Sequence, residues 1–102
     1  MPELDKDGYL VHLNQWTREV AGQLAESEAI TLTDAHWEVI DALRGYYQTF
    51  EHAPSQRPFV KYIANTLGKE KGNSLYLMTL FPESPAKVAA RIAGLPRPTN
   101  CF

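Results

Sequence analysis

The chain has 102 residues, 44% hydrophobic and 22% charged, with a formal net charge of −2, the composition of one globular domain with a single core and too little chain for two. No run reaches the ~20 apolar residues needed to cross a bilayer, and residues 1–5 lack the basic-then-apolar pattern of a secretory leader, so a cytoplasmic protein without membrane contact is expected. The single cysteine, Cys101, rules out an internal disulfide, and His12, His36 and His52 repeat no ligand spacing, so neither a metal nor a cofactor is expected.

Taken in chain order, residues 4–11 place Asp7-Gly8 between two short apolar runs, the usual signal for a tight turn in a small N-terminal β-hairpin. Asn14 is positioned to cap a helix whose Trp16, Val20 and Leu24 recur every fourth residue. Thr33 caps the next, with Asp34 where the helix dipole favours a carboxylate and Trp37, Ile40, Leu43, Tyr47 and Phe50 forming a core-facing stripe. Ala53-Pro54-Ser55 breaks the pattern. Ser55 then caps a helix with Phe59, Ile63 and Leu67 on one face, stopped by Gly68. Asn73 starts a short helix that Phe81-Pro82 ends, because a residue before proline is pushed out of the helical region. Ser84-Pro85 opens the last helix, which runs through Lys87, Val88, Arg91 and Ile92 to Gly94. The expected fold is mostly α: a helical domain over residues 1–93 that includes the small N-terminal hairpin, followed by an extended arm over residues 94–102.

That arm is the most distinctive segment. Pro96 and Pro98 each lack an N–H and fix φ, so Gly94-Leu95-Pro96-Arg97-Pro98 is expected to be stiff, extended and solvated, displaying Cys101 at its tip. The thiolate is the nucleophile, and a free thiol with a pKa of about 8.5 is only a few per cent ionised at neutral pH. Arg97 favours the anion and the carboxylate of Phe102 opposes it. The charge is also uneven along the chain. Residues 1–51 carry three basic and ten acidic side chains, and residues 52–102 carry seven basic and two acidic, nets of −7 and +5. The C-terminal half is thereby suited to an anionic partner. Arg57 and Lys61, one helical turn apart, share a face that offers such a surface.

Several motifs in order carry a resemblance to a known family: Asp7-Gly8-Tyr9-Leu10 with Trp16, Leu32-Thr33-Asp34-Ala35-His36-Trp37-Glu38-Val39, Arg44-Gly45-Tyr46-Tyr47, Pro54 with Arg57 and Lys61, Leu75-Tyr76 before Leu80-Phe81-Pro82, and the whole of residues 91–101. Over nearly its full length the chain resembles the small sulfur carriers of the TusE/DsrC family. The resemblance implies a compact helical domain with a helix-turn-helix-like pair and a mobile C-terminal arm. Members that serve sulfite reductase carry a second arm cysteine ten intervening residues before the penultimate one. Here that position is Ala90, so the chain is similar to the single-cysteine, TusE-like branch.

For this branch the resemblance implies a sulfurtransferase. Cys101 would take a persulfide sulfur from a TusBCD-like donor complex. It would pass the sulfur to an MnmA-like thiouridylase that makes 2-thiouridine in tRNA, with tRNA as an indirect partner. Gly94, Pro96, Arg97 and Pro98 would support the thiol, and Arg57, Lys61 and Arg91 would meet the partner or an anion. Two positions depart from the family pattern, Asn100 in place of glycine and Phe102 in place of a small aliphatic residue. His36 and Trp37, at the start of a core-facing helix, read as structural. Two other classes stay open: a sulfite-reductase-associated protein, and a nucleic-acid-binding or redox regulator using the helices near 34–51 and 56–67.

Overall fold

The computed structural model describes residues 2–98. It contains a short 3-10 turn, Leu13–Gln15, and five α-helices: α1 Arg18–Ser27, α2 Asp34–Phe50, α3 Gln56–Leu67, α4 Ser74–Leu80 and α5 Pro85–Ile92. Local chemistry accounts for most of the starts. The Thr17 hydroxyl accepts the Val20 N–H ahead of α1. Asn73 accepts the Tyr76 N–H ahead of α4, and Pro85 occupies the first position of α5, where no N–H is needed. At α2 the Thr33 N–H donates to His36 Nδ1 at 3.1 Å, the reciprocal half of a capping box.

The last helix is the hub. α5 packs against each of α1, α2, α3 and α4. It can do so because Ala86, Val88, Ala89, Ala90 and Ile92 are all buried, and small side chains let four neighbours approach. Phe59, Phe81, Ile40, Leu43, Ile63 and Leu77 fill the space around it.

Three expectations need correction. No hairpin strands form among the described residues; a single antiparallel bridge joins Leu4 and Leu10. The Asp-Gly turn itself is present, with Gly8 at φ +88° and Gly8 N–H donating to Asp5 O. Its flanks have no neighbouring strand to extend a ladder, and Asp5 Oδ1 takes the Asp7 and Tyr9 N–H groups instead. A turn signal is local, whereas a strand needs partners. The fold is therefore helical without a sheet. The first helix also begins later than expected: Thr17, not Asn14, is its cap, and Trp16 stands ahead of the helix, not on its buried face. On α2 the stripe holds for Ile40 and Leu43, but Phe50 at its end is 51% exposed.

Candidate functional site

The root of the arm is assembled from three distant stretches of sequence. At the end of α5 the chain turns through Gly94 at φ +72°. Gly94 N–H donates to Arg91 O at 3.2 Å and Leu95 N–H to Ala90 O at 2.9 Å, the paired closure of a Schellman motif. Glycine is required twice over, because an added Cβ would face a positive φ and collide with the Trp16 ring. Trp16 Nε1–H donates to Ile92 O at 2.9 Å, and Arg44 Nη1–H to Ala93 O at 2.6 Å. The Arg44 guanidinium lies 3.8 Å above the Trp16 ring. Partial burial pulls the Arg44 pKa down, with Asp41 opposing, yet the group stays charged.

Beyond the turn the first residues are held by the domain. The expectation of a solvated segment fails at Leu95, which is 2% exposed and part of the core. Pro96 is half-buried, Arg97 exposed and Pro98 buried again. Arg97 pairs with Asp7 in the N-terminal turn. Arg91 forms a fork on Glu28, with Nη2–Oε1 at 2.8 Å and Nε–Oε2 at 3.2 Å. The hydrogen bond to Glu28, more than any other contact, holds its pKa above the ordinary value. Both guanidinium groups approach Tyr9, at 5.6 Å and 5.9 Å from its ring centre. Burial raises the Tyr9 pKa, and its hydroxyl has no hydrogen-bond partner among the described residues.

The sequence-predicted residues therefore fall into three groups. Gly94, Pro96, Arg97 and Pro98 come together as the arm root, with Arg91 beside them as an ion-paired, half-buried residue. Arg57 and Lys61 stand apart on α3, both exposed and without an ion pair among the described residues. Cys101, the expected nucleophile, lies outside the described residues, as do Asn100 and Phe102. His36 and Trp37 are placed as structural groups. His36 Nε2–H donates to Leu80 O at 2.9 Å while Nδ1 accepts from Thr33, which assigns one neutral tautomer tying α2 to the end of α4. Trp37 lies under the Arg18 guanidinium at 3.9 Å. A solvent-open hollow of about 380 Å³ is lined by Gln23, Glu26 and Ser27, with no cysteine, histidine or basic group among them.

Sequence reasoning put Trp16 on a helix face with Val20 and Leu24 and gave neither it nor Arg44 a place at the arm. Both occur in the motifs quoted above, but their partners lie 76 and 49 residues away, beyond any local pattern. A tryptophan just ahead of α1 and an arginine in the middle of α2 were the available signal.

Comparisons with known proteins show relatives over nearly the whole chain. The family model described as DsrC like protein matches residues 1–102. The chain is 54% identical to the Sulfurtransferase TusE homolog of Haemophilus influenzae over 100 residues, covering 98% of this chain and 92% of the relative. It is 48% identical to Sulfurtransferase TusE of Escherichia coli K12, again covering 98% and 92%. Among solved structures it is similar to DsrC of Allochromatium vinosum, with TM-score 0.88, 48% identity and coverage of 97% and 88%. It is also similar to the oxidized gamma-subunit of the dissimilatory sulfite reductase from Archaeoglobus fulgidus, with TM-score 0.84, 40% identity and coverage of 99% and 92%.

Proposed function

The chain belongs to the DsrC-like family, and from that premise we propose that Cys101 is the relay thiol through which it carries sulfur toward tRNA 2-thiolation. The protein is a sulfurtransferase acting as a sulfur carrier, as its full-length TusE relatives are named. The observation that carries the reading is the root geometry. A firmly anchored turn at Gly94 is followed by a proline-stiffened segment leading to the chain's one cysteine.

In the loading step the Cys101 thiolate attacks the terminal sulfur of a donor persulfide, R–S–SH. The Cys101–S bond to that sulfur forms, the donor S–S bond breaks, R–S⁻ leaves, and Cys101–S–SH keeps the proton. In delivery an acceptor thiolate attacks the same terminal sulfur and the Cys101 thiolate departs, so the two steps are one exchange run twice. With a single cysteine the chain cannot close a sulfur bridge upon itself, which favours intermolecular relay over chemistry needing two arm thiols. A TusBCD-like complex fits the donor role and an MnmA-like thiouridylase the acceptor, in the cytoplasm. Among the described residues no helix is long and apolar enough to cross a membrane.

Replacing Cys101 by serine at the native locus, beside wild type and a full deletion, tests the reading by mass spectrometry of bulk tRNA. Thiouridine falling to the deletion level in a folded, expressed variant is the expected result. Normal thiouridine in the serine variant refutes Cys101 as the relay thiol, and normal thiouridine in the deletion refutes the pathway.

A further inference from the structure

We propose that Trp16 and Arg44 are positioning residues for sulfur transfer: stacked as a pair, they fix the direction in which the segment carrying Cys101 leaves the domain. This rests on the sulfur-carrier reading and adds to it the part of the domain that aims the thiol. The end of α5 is already closed by its own backbone, through Gly94 N–H and Leu95 N–H. Two further donors are not needed to terminate the helix. They come from the approach to α1 and from the middle of α2, and they take the carbonyls of two successive residues, Ile92 and Ala93.

The pair is internally braced, with the guanidinium 3.8 Å over the indole, so neither donor moves without the other. The Trp16 ring also occupies the space where a side chain at residue 94 would stand, which leaves the turn one course. Direction set there is passed on, because Leu95 is buried and Pro96-Arg97-Pro98 is a stiff run. A purely architectural helix cap would be needed equally by a protein with no arm. A pair that fixes the exit should govern presentation of the thiol to another protein while leaving its reaction with small molecules alone.

Cys101, as the one cysteine, allows a clean test by site-specific labelling. Trp16→Phe keeps the ring and removes the donor. Arg44→Gln removes the charge, and Arg44→Lys restores charge without the planar stack. Iodoacetamide alkylation and loading from glutathione persulfide are expected within twofold of wild type in all three. A nitroxide on Cys101 should show a narrower, more mobile spectrum in Trp16→Phe and Arg44→Gln. Thiouridine in bulk tRNA from native-locus strains should fall about tenfold for Arg44→Gln, the scale of one charged hydrogen bond. Trp16→Phe should fall a fewfold, and Arg44→Lys should recover part of the loss. An unchanged nitroxide spectrum in folded Trp16→Phe and Arg44→Gln overturns the proposal, and so does normal thiouridine in both. Should Cys101→Ser itself leave thiouridine intact, the relay reading fails separately, and the nitroxide spectrum alone decides whether the pair aims the arm.

Discussion

Arg91 and Arg97 stand six residues apart on either side of the Gly94 turn, and each pairs with a carboxylate from the acidic N-terminal half. The two pairs differ in kind. Arg91 and Glu28 are 22% and 23% exposed and joined by a fork, whereas Arg97 and Asp7 are 59% and 37% exposed. A half-buried fork leaves an uncompensated charge when broken, while an exposed pair contributes only about 0–1 kcal/mol. The interior therefore gives way to surface contacts between Leu95 and Arg97. Before that boundary the chain is core; after it, Arg97 is held by a surface pair while Pro98 is buried again.

Breaking the interior side should have the largest effects. Gly94→Ala places a methyl group against Trp16 at a positive φ, and we expect a loss of about 3 kcal/mol or more by urea denaturation, from backbone strain and overpacking together. A loss below about 1 kcal/mol would mean that Trp16 yields and the clamp is soft. Glu28→Gln, which leaves Arg91 half-buried beside a neutral partner, should cost roughly 1–2 kcal/mol by the same measurement. On the surface side, Asp7→Asn should change stability by less than about 1 kcal/mol yet free the Arg97 side chain, read as a lower Nε–H order parameter by NMR relaxation. Equal effects from Glu28→Gln and Asp7→Asn would erase the boundary.

The smallest effect concerns pH. The Tyr9 N–H bonded to its carboxylate, more than any other contact, keeps the Asp5 pKa below its ordinary value, with the Asp7 and Gly8 amides and Arg97 adding to it. A depressed carboxylate contributes stability that is present above its unfolded pKa and lost as pH falls through the lower folded one. Residues 5–9 should thus loosen only in acid, below the usual carboxylate range, visible as local amide shifts by NMR well before the helices melt.

The caps at Thr33, Asn73 and Ser84-Pro85 were legible because each is settled by neighbours within four residues. The hairpin was misread for the same locality: Asp7-Gly8 makes its turn, but pairing beyond Leu4 and Leu10 depends on strands that are not there. The charge asymmetry between the halves was read as a surface for a partner, and part of it is spent inside the molecule. Glu38, Glu28 and Asp7 of the acidic half hold Lys71, Arg91 and Arg97 of the basic half. Arg57 and Lys61 remain exposed, which keeps α3 as the candidate docking face. Of the site, the turn glycine and the prolines could be read directly. The clamp could not, since a hydrogen bond spanning 76 residues leaves no local trace.

One consequence follows from α5 being surrounded by the four other helices. The amides of residues 89–95 sit in the part of the chain that opens only when everything opens, so their hydrogen exchange should report global unfolding. The arm thus grows from the unit expected to exchange most slowly. Pulling on the chain beyond Gly94 should therefore unfold the domain as a whole before it peels α5 away.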